Sequence, residues 1–225
     1  MSAGAVLPLL MLSSCRPAAG PLHRSVTVET PTALLSALER LSVSIDREPA
    51  FLTAPLVELG RELKSAVSSC CGVQLTIVTE LGLPITLTHF DADADLSTID
   101  TSLRVSLAAL TNSGAGGHIT FYGVRRGAFV DLAADLSFVL ESVNADETST
   151  SPAISLDRHL EPSSRQPSLL GTEEVSIVNR AIGMLIGRGR TPVEAEAELV
   201  LGAREAEMPL PAFADHSIRR AQPAR

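Results

Sequence analysis

The fold of this chain is decided by residues 73–90, which read VQLTIVTELGLPITLTHF. Apolar and β-branched residues alternate with polar ones on both sides of Leu81 and Gly82, and this pattern is typical of two strands joined by a tight turn. Two further segments of the same kind follow at residues 102–108 and 117–124, separated by a loop rich in Gly and Asn. The four segments predict an antiparallel sheet.

Helical periodicity surrounds these strands. Leucines at helical spacing predict one helix around residues 34–45 and a second over residues 49–69, and a third amphipathic helix is predicted over residues 129–143. Helices that flank a run of antiparallel strands predict an α+β domain over residues 32–143, with helices covering one side of the sheet. Residues 1–31 are expected to be disordered.

The C-terminal part of the chain has a different organisation. Residues 144–171 are rich in Ser and Pro and show no sustained periodicity, so they are predicted to be a linker. Helical spacing returns over residues 172–221 and predicts a small all-α bundle of three helices. The second of these has a clear start, because Thr191 can cap it and Glu194 stands three residues later, as in a capping box.

Composition and charge restrict the function. The net charge is −8 and aromatic residues make up 3%, which argues against a chain that binds nucleic acid over its whole surface or stacks on single-stranded bases. Residues 172–225 hold seven Arg and eight acidic residues, a net charge of −1. Arg180, Arg188 and Arg190 nevertheless lie on or just after the first helix of the bundle, where they could bind phosphates. The alternative is that these arginines only solvate one face.

Nothing in the sequence indicates an enzyme. Its histidines and cysteines lack metal-ligand spacing, and no nucleophile accompanies a His and carboxylate pattern. Asp91, Asp93 and Asp95 alternate as in a calcium loop, but Leu96 stands where that loop requires Gly, and Ser102 where it requires Glu. We therefore expect no catalytic residue, metal or cofactor, and a solvated acidic loop that could cover a sensor pocket.

The N-terminus and the cysteines bear on location. Residues 5–12 read AVLPLLML and precede Cys15, which is similar to the end of a lipoprotein signal, but the first fifteen residues contain no Lys or Arg. No stretch reaches the roughly 20 apolar residues that span a bilayer. The vicinal pair Cys70 and Cys71 is expected to be structural. We expect a cytoplasmic protein that is not bound to a membrane; the alternative is a tethered lipoprotein.

Residues 178–218 resemble an ANTAR domain, the RNA-binding three-helix module of bacterial transcription antitermination regulators. The match comprises the AIGML run, the Arg that follows it, the TPVEA start of the second helix, and later apolar positions. The residues concerned are Ala181, Gly183, Met184, Leu185, Arg188, Thr191, Glu194, Ala195, Leu199, Ala203, Leu210, Ala214 and Ile218. By this resemblance, Ala181 and Gly183 permit close approach of RNA, and Arg188, Arg190 and Arg204 contact phosphates. Glu196 and Val200 depart from the family pattern, which has an aromatic residue and an Arg there.

Residues 102–140 resemble a GAF domain, a sensor module that holds a small ligand. The two resemblances together imply a signal-responsive transcription antitermination regulator that acts as a homodimer, binds a hairpin of nascent RNA and takes an unknown small-molecule ligand in the GAF-like domain. The alternative is a dimerisation or protein-interaction module whose ANTAR-like domain has lost RNA binding, for which Glu196 and Val200 are the reason.

Overall fold

The computed structural model describes residues 32–47, 52–111, 116–143, 153–164 and 168–221. The expected disorder of residues 1–31 lies outside the described residues, as do the loop at 112–115 and two parts of the predicted linker. Among the residues described, no helix is both long enough and apolar enough to cross a membrane.

The chain is an α+β protein whose described part forms six α-helices and a six-stranded antiparallel sheet. The helices are α1 (Thr32–Arg47), α2 (Thr53–Ala66), α3 (Val130–Val143), α4 (Thr172–Ile186), α5 (Pro192–Glu205) and α6 (Leu210–Ala221). The strands are β1 (Cys70–Val78), β2 (Pro84–Phe90), β3 (Thr101–Ser106), β4 (Gly116–Gly123), β5 (Ile154–Leu156) and β6 (Ser168–Leu170). Their order across the sheet is β5-β3-β4-β1-β2-β6.

The four strands predicted from the sequence are confirmed as β1 to β4. The hairpin between β1 and β2 closes as predicted, and Gly82 adopts a φ of 75°, a left-handed conformation that glycine reaches without strain. β4 then pairs with the other side of β1, and β3 pairs with β4. Sequence neighbours are thus not always sheet neighbours, because β1 lies at the centre.

Helices α1, α2 and α3 cover one face of the sheet, as predicted. Leucines of the helices interlock with strand residues that point to this face, so that one apolar core forms, and its fully buried members include Leu41, Leu59, Leu63, Val73, Leu75, Leu103, Phe121 and Phe129. Residues on the same strand face are two positions apart, which is why the alternation in the sequence predicts this burial.

Two short strands, β5 and β6, lie inside the segment predicted to be a linker. β5 pairs with β3 at one edge of the sheet, and β6 pairs with β2 at the opposite edge. Between them, residues 157–164, here called the strap, cross the second face of the sheet, where the Ser163 amide donates to the Gln74 side-chain oxygen at 2.9 Å. The described parts of this segment are therefore tied to the sheet and do not form a free linker.

Helices α4 to α6 form the predicted bundle, and half of its buried core residues are alanines. Its buried residues are Val178, Ala181, Leu185, Ala195, Leu199 and Ala214. Leu81 and Leu83, at the tip of the β1–β2 hairpin, pack against this core from the sheet side. The bundle thus completes its small core with residues of the first domain.

Candidate functional site

The turn between α4 and α5 is the centre of the predicted RNA-binding surface. α4 ends at Ile186, and Gly189 then adopts a φ of 93°, which glycine tolerates. α5 restarts at once through the predicted capping box, in which the Thr191 amide donates to the Glu194 carboxylate at 2.9 Å and the Thr191 hydroxyl accepts from the Glu194 amide. The turn is held at its α5 end, and residues 188–190 are exposed.

The two small residues predicted to admit RNA lie on different sides of α4. Ala181 is 0% exposed because it packs in the bundle core, so its predicted role in RNA contact is not available in this structure. Gly183 is exposed, and a Cβ added there would meet nothing within 4 Å. Of the predicted pair, only Gly183 presents an open backbone surface.

The three arginines predicted to contact phosphates lie on two different surfaces of the bundle. Arg188 is exposed and forms no ion pair within the described chain, whereas Arg190 Nε lies 2.9 Å from Glu198 Oε2. Both line one open groove between the three helices. Arg204 lines a different depression, next to Leu81 of the hairpin tip. The structure therefore brings Arg188 and Arg190 together and places Arg204 apart from them.

The groove that holds Arg188 and Arg190 encloses about 790 Å³ and is chemically mixed. Arg220 and His216 of α6 add potential cations that the sequence analysis did not single out, and Phe213 adds an aromatic surface. The groove also holds three carboxylates, those of Glu194, Glu198 and Glu205. Its formal charge is balanced. Among the described residues neither Arg188 nor Arg220 has a carboxylate partner, so these two arginines are the ones best placed to meet a phosphate.

Val200, one of the two departures from the ANTAR pattern, has a local structural role. Val200 lines the depression that contains Leu81, where the hairpin tip meets the bundle. Glu196, the other departure, is only partly exposed. An apolar residue at position 200 therefore lies where the two domains touch.

The second face of the sheet carries an arrangement that the sequence analysis did not foresee. Cross-strand pairing aligns its side chains in rows, since residues in register on neighbouring strands lie side by side. One row contains Tyr122 and Phe90, whose ring centres are 5.6 Å apart, and the loop that includes Ala94, Leu96 and Ile99 packs against it. The next two rows are polar and comprise Arg104, Thr120, Gln74, Thr88 and Ser168, then Ser106, His118, Thr76 and Thr86.

The acidic loop predicted between strands β2 and β3 does cover part of this second face. Asp91 forms an ion pair with Lys64, and the Asp95 carboxylate accepts a hydrogen bond from the Ser97 amide at 2.9 Å. Both carboxylates thus have protein partners.

A cleft of about 500 Å³ opens between the polar rows and the strap. Its floor includes Gln74, Thr76, Thr86, Arg104 and His118, and its roof includes Arg158, His159, Leu160, Glu161 and Ser163. Arg104 Nε donates to the Thr120 hydroxyl at 3.3 Å, and the hydroxyls of Thr76 and Thr86 hydrogen-bond each other at 3.2 Å. The cleft is a candidate sensor site, made by a sheet face and a strap that the sequence analysis did not connect.

The electrostatics of this cleft are unusual. Burial, together with the nearby positive charge of Arg104 and with His159, lowers the pKa of His118 from 6.5 to about 4, so this imidazole is neutral near pH 7. Burial also lowers the pKa of the Arg104 guanidinium. Burial and the positive charges of Arg104 and Arg158 lower the pKa of His159. The two arginines of the cleft, Arg104 and Arg158, thus face one carboxylate, that of Glu161.

The vicinal cysteines lie at the start of β1 and have the structural character that was predicted. Cys70 and Cys71 are both buried free thiols. Burial raises the pKa of Cys70 to about 12 and that of Cys71 to about 11, so both thiols are protonated at neutral pH. Because the thiolate is the reactive form, neither is suited to redox chemistry there.

In comparisons with known proteins, no protein-family model, curated protein or solved structure matches the chain.

Proposed function

We propose that this chain is a signal-responsive regulator of transcription antitermination that acts in the cytoplasm. In this proposal the bundle of α4 to α6 is an ANTAR-like domain that binds RNA hairpins, and residues 32–143, together with β5, β6 and the strap, are a GAF-like sensor. The observation that carries the proposal is the open groove at the α4–α5 turn, where Arg188, Arg190 and Arg220 share one surface. The sequence resemblance of residues 178–218 supports the same assignment.

The contacts of the arginines rank them as phosphate ligands. Arg188 has no ion pair within the described chain, so it can meet a phosphate without losing an existing partner. Arg190 must first give up Glu198, at 2.9 Å, although an exposed pair of this kind contributes only about 0–1 kcal/mol. By the same criterion Arg220 has no ion pair within the described chain, so Arg188 and Arg220 are the leading contacts and Arg190 a secondary one, while Arg204 lies outside the groove.

Two connections can carry a signal from the sheet domain to the bundle. β6 is followed after Gly171 by α4, so the sheet edge and the first bundle helix share one short segment of chain. Leu81 and Leu83 of the β1–β2 hairpin pack on the bundle core. A shift of β2 or β6 on ligand binding would therefore move groups that contact the bundle directly. In the proposal the chain works as a homodimer, as the resemblance implies.

The proposal is tested by binding of the full chain to a pool of RNA hairpins at several salt concentrations. Arg188→Gln should weaken binding to all hairpins alike, because a phosphate contact carries no sequence information. The slope of log affinity against log salt should fall by about 0.7–0.9 for the lost contact. Arg125→Gln is the matched control, since Arg125 is also exposed but lies in the sheet domain. Equal affinities for wild type and Arg188→Gln would refute the assigned groove.

One observation favours the alternative of a protein-interaction or dimerisation module. Along α5, Val193 is 77% exposed and Leu201 56% exposed, and Ala197 lies between them at helical spacing. Such an apolar stripe is suited to contact with another protein. If this alternative is right, the wild type will not bind hairpins, and Val193→Ser with Leu201→Ser will lower the oligomeric state measured by analytical ultracentrifugation.

A further inference from the structure

We propose that the cleft between the second face of the sheet and the strap binds a small organic anion, a molecule with a carboxylate or phosphate group held between Arg104 and Arg158. The inference rests on the proposed function for its sensor role, because it gives the GAF-like domain a ligand class. The site itself is argued from the contacts in the cleft, which do not depend on RNA binding.

Arg104 is the first reason. Its side chain is partly buried beside Tyr122 on the polar rows, and its one hydrogen bond in the described chain goes from Nε to the neutral Thr120 hydroxyl. No carboxylate of the described residues pairs with it. A guanidinium that has lost part of its water and has gained no anion is unfavourable, and a bound carboxylate or phosphate would supply the missing partner through two parallel hydrogen bonds.

The composition of the walls is the second reason. Two arginines line the cleft, Arg104 on the sheet and Arg158 on the strap, against one carboxylate, that of Glu161, and the imidazoles of His118 and His159 add hydrogen-bonding groups. The remaining floor offers the hydroxyls of Thr76 and Thr86 and the amide of Gln74, which can orient polar parts of a ligand. Such convergent polar groups are typical of small-molecule sites.

The size and the roof of the cleft define the class of ligand. Its volume of about 500 Å³ falls within the range of about 300–1,000 Å³ that small-molecule pockets occupy. The strap lies over the floor, and β5 and β6 stand at opposite edges of the sheet, so the space beneath the strap has the size of a small molecule. The charged and titratable groups of the roof and the floor line one open cleft, which suits a compact anion.

His118 gives the site a distinctive response. The charged or titratable groups that share its cleft are Arg104 on β3 and Arg158, His159 and Glu161 on the strap, while β1 and β2 contribute neutral side chains. Its pKa of about 4 reflects burial and the positive neighbours. An anion bound among these groups would favour the imidazolium, so the pKa of His118 should rise on binding.

The experiment measures thermal unfolding of the full chain with inorganic phosphate or with succinate, at constant ionic strength set with chloride. Binding to the folded state raises the midpoint as the anion concentration increases. We expect one of the two anions to do so for the wild type, and the responding probe tells a phosphate site from a carboxylate site. Arg104→Gln and Arg158→Gln should weaken that anion about tenfold or more, because each removes a charge-assisted hydrogen bond.

The controls separate this site from other effects. Arg158 is exposed on the strap, so its replacement tests the site even if Arg104→Gln disturbs the fold. Arg125→Gln makes the same charge change away from the cleft and should respond like the wild type. NMR titration of His118 should show a higher pKa in the presence of the stabilising anion.

The proposal is overturned if neither anion stabilises the wild type more than chloride does, or if both arginine variants respond as the wild type does. RNA-hairpin affinity, measured on the same proteins without added anion, distinguishes the two proposals. If the wild type binds hairpins but no anion, only the proposed anion site is refuted. If it binds the anion but no hairpin, only the proposed RNA-binding function is refuted.

Discussion

The two apolar cores of the molecule are built from different side chains. The core under the sheet consists of leucines and aromatic residues such as Leu59, Leu63 and Phe121, whereas that of the bundle contains Ala181, Ala195 and Ala214 among its buried residues. Burying a Leu or Phe side chain stabilises a fold by about 1.5–3 kcal/mol, and an alanine methyl contributes much less. The sheet domain is stabilised by buried area, while the bundle depends on close helix approach and on the hairpin tip.

Truncation in the large core is expected to have the largest effect. Leu59 is 0% exposed in α2, and Leu59→Ala should lower the free energy of unfolding by about 2–5 kcal/mol, because a cavity replaces a packed side chain. Hydrogen exchange read by mass spectrometry should show the loss of protection in β1 to β4. Equal loss in α4 to α6 would mean that the two cores form a single cooperative unit.

Enlarging a bundle alanine should have the next largest effect. Ala181→Val forces two methyl groups into a packed site and should lower stability by about 1–3 kcal/mol in thermal or urea unfolding. Gly183→Ala is the matched control two residues away, where the added methyl meets nothing within 4 Å. There the helix should gain about 0.4–1 kcal/mol, because alanine restricts the unfolded chain. A neutral Ala181→Val would show that the bundle core is loosely packed.

Loss of the α5 cap should cost less. Thr191→Ala removes the hydroxyl that accepts from the Glu194 amide, and it should destabilise the bundle by about 0.5–2 kcal/mol, as measured by hydrogen exchange in α5. Thr172→Ala provides the comparison. Thr172 is the first residue of α4, and the N-cap residue before it, Gly171, makes no side-chain capping hydrogen bond. Similar costs for the two variants would contradict the role of the capping box.

The sheet domain should also be distinguished from the bundle by its response to pH. The pKa of His118 is about 4 in the folded chain and 6.5 for an ordinary histidine, so between these values the unfolded state binds more protons. Its contribution to stability is therefore present above pH 6.5 and is lost as the pH falls towards 4. Denaturant unfolding of wild type and His118→Gln across this range should give a shallower loss for the variant. Parallel curves would mean that His118 does not respond to burial.

The first sheet face was predictable from sequence, but the second was not. Alternation in the hairpin locates Val73 and Leu75 on the apolar face, and the structure confirms it. The same alternation assigns Gln74 and Thr76 to the other face, where polar residues ordinarily meet water. They are buried because the strap covers them, and no local pattern announces a covering segment that lies some 85 residues later in the chain.

Only those features of the bundle that depend on residues close in sequence were predictable. The capping box at Thr191 and Glu194 depends on residues three apart, so it is readable locally and is confirmed. The inward direction of Ala181 depends on which face of α4 meets α5 and α6, and small residues suit both a buried face and an open one. The pairing of Arg190 with Glu198 likewise requires the geometry of the turn. The strands β5 and β6 span three residues each, too short to show a period.

The positions of β5 and β6 have a consequence for self-association. Without them, β3 and β2 would be the outer strands, and their unpaired amide and carbonyl groups would offer templates for strands of other molecules. The segment that bridges the two domains occupies part of both edges at once. A single proteolytic cut in the strap would weaken the pairing of both β5 and β6 with the sheet. The cleaved protein should therefore tend to aggregate through its sheet edges, even while its leucine core stays folded.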